Sequence, residues 1–326
     1  MTGTLTHHGG RMSDARARFG GTAADWLDLS TGINPRPWMP RGDRTIDWHA
    51  LPDPAELVSL EQTAAAYFAA DPALCLAVPG SEMALRALAR TLQLPGRHLP
   101  LCYSTHHQAF TQAEPEHDAP TVLILGNANN PDGMILSREA VLDALQQQER
   151  QGGWLIVDEA FADCSPECSV ADAVAENRRL IVTRSFGKFF GLAGMRLGFV
   201  MAPTTLLAQL RQLQGEWPIN TAALAFGKQA YADAAWIETE RLKLATAASQ
   251  LDDVLRRHGL DPRGSCPLFR LVEMEHAHTV FEGLAQRWIL TRPFAEHPRL
   301  LRFGLPRDDA ALTRLDRELA RALPNG

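Results

Sequence analysis

The chain has 326 residues, of which 45% are hydrophobic and 21% are charged, and its formal net charge at pH 7 is −6. This composition is typical of a folded globular protein of about two domains. The acidic balance argues against nucleic-acid binding, which usually requires a basic surface. No apolar run reaches the length of about 20 residues that a membrane-spanning helix needs.

The N-terminal stretch MTGTLTHHGGRMSDARARFGG lacks the apolar core of a signal peptide. The five cysteines are scattered, and Cys164 and Cys168 lack the spacing of a metal or redox pair. We therefore expect a cytoplasmic protein with reduced thiols that binds no metal, no nucleic acid and no membrane.

Residues 1–55 are rich in Gly, Pro, Asp and Trp and indicate an arm with turns and short elements. Beyond them, helical patterns alternate with short apolar segments, and a capping Ser137 opens one of the helices. The apolar segments predict strands at CLAV (75–78), TVLIL (121–125), WLIVD (154–158), LIVT (180–183) and LGFVMA (197–202). This alternation predicts an α/β domain with a mostly parallel sheet covered by helices.

After GEWPIN (215–220) the pattern changes to a long helix over about 236–258, followed by shorter strands and helices. This order predicts a smaller α+β domain. We therefore divide the chain into an N-terminal arm with part of the small domain (1–45), a large domain (46–215), and a linking helix with the C-terminal small domain (216–326).

Four loops follow predicted strands, and ligands collect at such strand ends in parallel sheets. Gly80 and Ser81 open a helix, where backbone N–H groups suit an anion. Asn130 lies in an Asn-Asn-Pro turn, Asp158 ends an apolar strand, and Lys188 lies in a glycine-rich apolar loop. Each has an ordinary explanation alone: a capped turn, a turn residue, a carboxylate paired with arginine, or an exposed lysine.

Together the four loops meet one set of chemical requirements. Pyridoxal 5′-phosphate needs an amine for a Schiff base, a carboxylate for its ring nitrogen, a phosphate site, a donor for its 3′-oxygen and a flat group against its ring. An amine in apolar surroundings is more nucleophilic because its charged form is disfavoured. The combination predicts a pyridoxal phosphate enzyme.

The sequence resembles the fold-type I pyridoxal phosphate enzymes, and within them the histidinol-phosphate aminotransferase branch. It looks most like the decarboxylases of that branch that act on L-threonine O-3-phosphate in cobalamin biosynthesis. The resemblance covers nearly the whole chain and rests on HGG (8–10), DLSTGINP (28–35), LPDP (51–54), NNPDG (129–133), VDEAF (157–161), SFGKFFGLAGMRLGF (185–199) and LRFGLP (301–306).

The resemblance implies a role for each matching residue. It implies that Lys188 holds the cofactor as a Schiff base and that Asp158 faces its ring nitrogen. It implies further cofactor contacts from Gly80, Ser81, His106 (the ring-stacking position, with His107 as the other register), Asn130, Ser185 and Arg196. For the substrate it implies contacts from His8, Gly9, Gly32, Asn130, Arg292 and Arg302, with Arg302 on the carboxylate.

Three positions depart from the family pattern. Phe161 stands where Tyr is frequent, so one donor to the 3′-oxygen is missing. Leu51 replaces the Tyr that reaches the neighbouring subunit's cofactor phosphate, and Gly32 replaces an Asn of the substrate pocket. These departures affect the expected substrate contacts and leave Lys188 and Asp158 in place.

The expected function is therefore decarboxylation of L-threonine O-3-phosphate to aminopropanol O-2-phosphate by a homodimer. Two alternatives stay open at this point. One is an aminotransferase acting on histidinol phosphate or a similar substrate, and the other is a non-catalytic cofactor-binding partner in cobalamin assembly.

Overall fold

A computed structural model describes residues 5–6, 8–40, 46–111 and 119–323. The chain divides into two compact units. The small unit consists of Met1–Arg36, Pro131–Gly133 and Thr239–Gly326, and the large unit consists of Pro37–Asn130 and Met134–Glu238.

The described part of the chain contains the following elements. The helices are α1 (Met12–Phe19), α2 (Pro54–Tyr67), α3 (Ser81–Leu92), α4 (Ser104–Ala109), α5 (Arg138–Arg150), α6 (Phe186–Phe189), α7 (Thr204–Gln214), α8 (Thr221–Ala232), α9 (Ala234–Arg257), α10 (Ala277–Ala285) and α11 (Asp309–Ala322). The strands are β1 (Leu27–Asp28), β2 (Cys75–Val78), β3 (Gly96–His98), β4 (Val122–Gly126), β5 (Trp154–Asp158), β6 (Leu180–Ser185), β7 (Gly198–Met201), β8 (Pro262–Arg263), β9 (Phe269–Glu273), β10 (Ile289–Leu290), β11 (Arg292–Pro293) and β12 (Leu300–Gly304). Short 3₁₀ turns cover Pro72–Leu74, Ala162–Cys164, Pro166–Cys168, Ala171–Ala173 and Ala193–Met195.

The large unit is built on a six-stranded sheet in the order β2-β7-β6-β5-β4-β3. Strands β3 to β6 are parallel, whereas β7 runs antiparallel to both β6 and β2. The predicted α/β fold with a mostly parallel sheet is therefore confirmed. The strands read as continuous apolar runs because both faces are covered: Ile124, Ile156, Ile181 and Val200 are all fully buried.

Local sequence signals explain where several elements begin. The Ser137 hydroxyl accepts a hydrogen bond from the Ala140 N–H, as the predicted cap of α5 should. Asp53 caps α2 in the same way, with Pro54 at the first helical position. Strand β3 was not predicted, since its residues Gly-Arg-His carry no apolar signal.

The boundaries of the large unit differ from the predicted limits of 46 and 215. Trp38 is almost fully buried, and its backbone N–H donates to the Phe190 carbonyl at 2.9 Å. Helix α8 lies close to α2, where Lys228 forms an ion pair with Glu56 at 2.9 Å. Residues 37–40 and 216–238 thus belong with the large unit. Trp38 and helix α8 pack against that unit even though the sequence pattern changes near residue 215.

The small unit has the α+β composition that the sequence predicts. An antiparallel sheet of order β11-β12-β9-β8 carries Arg302 on β12 opposite Leu271 on β9 and Arg292 on β11. A separate parallel pair joins β1 to β10, with Asp28 opposite Leu290. Helices α10 and α11 bury apolar faces in the same unit.

A buried ion cluster lies at the carboxyl ends of β5 and β6 in the large unit. The Arg184 guanidinium donates to Glu159 at 2.9 Å and also to Asp163, and all three side chains are at most 3% exposed. Glu159 accepts two further hydrogen bonds, from the Ser169 hydroxyl at 2.6 Å and the Val170 N–H at 2.7 Å. Burial raises the pKa of Glu159, and the adjacent Arg184 charge opposes that rise.

Replacing Arg184 with Ala should lower the free energy of unfolding by about 3–5 kcal/mol, because Glu159 and Asp163 would keep buried charges without their cation. The control is Arg178→Ala, which breaks a half-exposed pair with Glu149 and should cost no more than about 1 kcal/mol. Urea titration of both variants measures the difference, and equal midpoints would contradict the assignment.

Candidate active site

One pocket of the large unit brings together the residues expected to bind the cofactor. Gly80, Ser81, His106, Asn130, Asp158, Ser185, Lys188 and Arg196 all line it. They come from the ends of β5 and β6, the start of α3 and the short helices α4 and α6, together with the loops near them. Residues that are far apart in sequence thus meet at the strand ends where parallel sheets collect ligands.

The Asp158 carboxylate is held at both of its oxygens. Asp158 is the last residue of β5 and lies opposite Thr183 in β6, whose hydroxyl donates to Oδ1 at 3.0 Å. The His106 Nε2 lies 3.0 Å from Oδ2. An ionised carboxylate only accepts hydrogen bonds, so Nε2 carries the proton of this contact. The two bonds fix the position of the carboxylate before any ligand binds.

Two aromatic rings rather than one belong to this part of the pocket. The family resemblance implied that His106 stacks on the cofactor ring, and the structure directs the His106 edge at Asp158. The Tyr103 ring lies perpendicular to it, with ring centroids 5.7 Å apart, and Tyr103 also lines the pocket. His107, the other register, is exposed and lies outside this lining. Sequence reasoning missed Tyr103, although its place one helical turn before His106 was a usable signal.

Backbone geometry builds an anion site at the start of α3. Gly80 has a φ of +93°, and a Cβ there would lie 2.7 Å from Arg196 Nη2. Gly198 permits a second close approach, since its Cβ would lie 2.7 Å from the Ser81 nitrogen. Free N–H groups at a helix N-terminus next to a guanidinium favour a phosphate.

Lys188 extends into the pocket from a short helix that packing holds in place. Helix α6 buries Phe186 and Phe189, and a Cβ on Gly187 would lie 2.5 Å from the Ala193 Cα. The Lys188 Nζ lies 5.8 Å from the centroid of the Phe161 ring. The apolar and glycine-rich flanks of Lys188 therefore fix the helix that presents its amine.

These residues fit pyridoxal 5′-phosphate on the chemistry of the donors present. The anion site formed by Gly80, Ser81 and Arg196 matches the phosphate, and the lysine amine and the fixed Asp158 carboxylate match the aldehyde and the ring nitrogen. The buried His106 Nδ1 has no hydrogen-bond partner within the described residues, which leaves one more polar atom for a ligand or a water. Phe161 offers a ring in place of the Tyr hydroxyl that the family pattern contains.

The small unit holds the arginines expected to bind substrate. Arg292 and Arg302 lie opposite each other on β11 and β12 and are 8% and 5% exposed. Burial lowers the pKa of Arg292 to about 10. Burial and then the positive charge of Arg292 lower the pKa of Arg302 to about 9. Two buried cations that disfavour each other gain from an anionic ligand.

The remaining predicted substrate residues also belong to the small unit. His8 is half-buried, and a Cβ on Gly9 would lie 2.2 Å from the Ser30 carbonyl oxygen. Gly32 is buried in the stretch that follows β1. Their contacts with a substrate remain predictions.

Within the ranges that the structure describes, no group of His, Cys, Asp and Glu could hold a metal ion and no helix is long and apolar enough to cross a membrane.

The chain contains three lysines, Lys188, Lys228 and Lys243, which makes the cofactor prediction easy to check. Incubation with pyridoxal phosphate followed by borohydride reduction should attach the pyridoxyl group to Lys188, because only that amine lies in the pocket. Peptide mapping by mass spectrometry measures the label. Lys188→Arg is the control and should lose it, and a label on Lys228 or Lys243 would contradict the site.

Comparison with known proteins supports the same assignment. The sequence pattern described as "Aminotransferase class I and II" matches residues 101–315. A threonine-phosphate decarboxylase of Pseudomonas aeruginosa is 40% identical over 97% of both chains. One of Sinorhizobium sp. is 39% identical over 96% of this chain and 97% of its own.

A solved structure shows the same fold at lower identity. It is the histidinol-phosphate aminotransferase from Clostridium acetobutylicum, with a TM-score of 0.78, 20% identity, and coverage of 90% of this chain and 98% of that one. On the family pattern and the full-length relatives together, the chain belongs to the class I and II aminotransferase family.

Proposed function

We propose that this chain is a pyridoxal phosphate-dependent lyase that decarboxylates L-threonine O-3-phosphate to aminopropanol O-2-phosphate in cobalamin biosynthesis. The observation that carries the proposal is a pocket of the large unit that collects a lysine amine, a doubly held carboxylate and an anion site. The relatives of similar length named as threonine-phosphate decarboxylases support the choice of reaction. The cytoplasmic location predicted from the sequence belongs to the same proposal.

When bound, pyridoxal phosphate supplies a protonated ring that accepts electrons from a bond at the substrate α carbon. The chain's own residues prepare that chemistry. Lys188 would supply the amine that holds the cofactor. Arg196 and the N–H groups of Gly80 and Ser81 would hold its phosphate and so set its orientation. Asp158 would keep a proton on the ring nitrogen, because hydrogen bonds to Thr183 and His106 fix its carboxylate.

The arginines of the small unit are assigned to the two anionic ends of the substrate. Arg302 takes the carboxylate, because a guanidinium binds carboxylate oxygens in pairs, and Arg292 takes the second anionic group. The hold of these two arginines on the substrate would decide which bond at its α carbon the bound cofactor weakens. Weakening the bond to the carboxylate would release CO₂, with a proton taking its place on the α carbon, whereas weakening the bond to hydrogen would lead to transamination.

Incubation of the loaded enzyme with L-threonine O-3-phosphate should release CO₂ and aminopropanol phosphate in equal amounts, with no keto acid. One reaction is assayed for CO₂ by trapping, for aminopropanol phosphate by mass spectrometry and for any keto acid by a coupled dehydrogenase. Keto acid formed in stoichiometric amount without CO₂ would mean a transaminase and overturn the proposal.

Arg302→Ala tests the carboxylate assignment in the same assay. Loss of a contact between a buried guanidinium and a carboxylate should lower kcat/KM by about 30-fold or more, since such contacts are worth about 2–5 kcal/mol. Arg299→Ala is the matched control: this arginine is 60% exposed and faces Glu273 at 3.6 Å, so its loss should leave kcat/KM nearly unchanged.

We also propose that the active form is a homodimer. The large unit exposes apolar side chains close together in sequence: Met39 is 67% exposed, Trp48 74%, Leu51 66% and Val58 50%. Exposed apolar groups at this density favour a protein partner. A second copy of the chain is the partner that the family resemblance implies, and Leu51 would contribute apolar contact where the family has Tyr.

Sedimentation should therefore give twice the chain mass of 35.8 kDa. Changing Trp48 and Leu51 to Asp should shift the equilibrium toward monomer, because charges would then have to be buried at the interface. Leu213→Asp is the matched control, because Leu213 is 58% exposed in α7 and lies far in sequence from Trp48 and Leu51. A stable monomer with full activity would refute this part of the proposal.

A further inference from the structure

Ser30 connects two features of the small unit that sequence analysis treated separately. One is the N-terminal segment, defined here as His8–Gly10, and the other is the buried guanidinium of Arg302. Ser30 is itself only 2% exposed. Its side chain contacts the segment, and its carbonyl contacts the arginine.

The backbone around Ser30 is fixed from both sides. The Leu29 N–H donates to the Leu290 carbonyl at 2.7 Å, and the Gly304 N–H donates to the Leu29 carbonyl at 2.7 Å. A Cβ on Gly304 would lie 2.4 Å from the Thr31 carbonyl oxygen. Because strands β10 and β12 hold its neighbours, Ser30 has little room to shift.

The Ser30 side chain anchors the N-terminal segment. Its hydroxyl donates to Asp28 Oδ1 at 2.6 Å, which orients the oxygen lone pairs toward the Gly10 N–H at 2.7 Å. Asp28 Oδ1 also accepts from the Ser30 N–H at 2.8 Å. Gly9 lies so close to the Ser30 carbonyl that any Cβ would approach within 2.2 Å. The segment can occupy this position only with glycine at residue 9.

The Ser30 carbonyl contacts Arg302. It accepts a hydrogen bond from Arg302 Nη2 at 2.8 Å, on the same oxygen that Gly9 approaches. The guanidinium is deeply buried, and its contact with a fixed carbonyl restricts the directions in which its other N–H groups can point. A displacement of the segment against this oxygen would therefore change the orientation of Arg302.

We propose that Ser30 is a positioning residue that makes the orientation of Arg302 depend on the docking of the His8–Gly10 segment. The inference rests on the proposed function only in its choice of substrate. Ser30 acts through its contacts with Gly10 and Arg302. Ser30 holds the guanidinium and the segment in one arrangement, so a displacement of either one shifts the other.

The docking half of the proposal is tested without any substrate. Arg11 is exposed and follows the segment directly, so trypsin cleavage after Arg11 reports how often the segment leaves its position. Ser30→Ala removes the acceptor of the Gly10 N–H and should raise the cleavage rate in the loaded enzyme by about fivefold or more. Ser30→Thr keeps the hydroxyl and should restore most of the protection, and Ser13→Ala on the exposed face of α1 is the control.

The coupling half is tested by a double-mutant cycle in the loaded enzyme with L-threonine O-3-phosphate. Gly9→Ala should raise KM by about fivefold or more in the otherwise native chain, mainly through Arg302, because it displaces the oxygen that Arg302 contacts. In the Arg302→Ala background the same change should alter KM by less than about twofold. Pyridoxal phosphate affinity should not change, since the cofactor residues belong to the large unit.

Each outcome has a definite meaning. Cleavage after Arg11 that is unchanged in both Ser30→Ala and Gly9→Ala overturns the docking half, and additive KM effects of Gly9→Ala and Arg302→Ala overturn the coupling. If Ser30→Ala fails to fold, Gly9→Ala still gives both readouts. Should the native enzyme fail to decarboxylate phosphothreonine while the cleavage results hold, the proposed substrate fails and the docking role of Ser30 stands.

Discussion

The pairing of the ends of β5 and β6 is the constraint on which the candidate active site depends. Asp158 lies opposite Thr183 in the register of these parallel strands, and the next residues, Glu159 and Arg184, form the buried ion pair. Because side chains alternate between the two faces of a strand, one carboxylate of the Asp-Glu pair enters the pocket and the other is locked in the core. A one-residue slip of this register would exchange them and bring the wrong carboxylate to the cofactor site.

Most residues that line the candidate cofactor site could be named from the sequence, because they lie in short motifs. Lys188 and Gly80 lie in loops that follow predicted strands, and the family resemblance implied the cofactor contacts of Arg196. The structure brings all three to one pocket, and their roles remain predictions. Tyr103 was missed because the family motif directed attention to the two histidines, although its spacing of three residues from His106 places the two rings side by side. The expected stacking role of His106 remains a prediction, and the structure adds the contact of its imidazole edge with Asp158.

The elements that sequence reasoning placed less well are held by contacts between distant residues. The limit at residue 215 followed a change of pattern, whereas α8 belongs with the large unit through the ion pair of Lys228 with Glu56, 172 positions away. Likewise, the motifs HGG and DLSTGINP were recognised separately. Nothing in either motif indicates that the Gly10 N–H binds the Ser30 hydroxyl, because a hydrogen bond to one serine leaves no periodic signal.

The buried cluster of Glu159, Asp163 and Arg184 limits how this sequence can diverge. Two carboxylates and one guanidinium share a site that water does not reach, so any single replacement leaves a charge with too few partners. Substitution by three apolar residues of matching volume is compatible with a stable fold, whereas each single replacement on the way is strongly destabilising. Homologues that lack one member of the cluster should therefore lack the others as well, and these three positions should change together across the family even though Asp163 need not contact the cofactor.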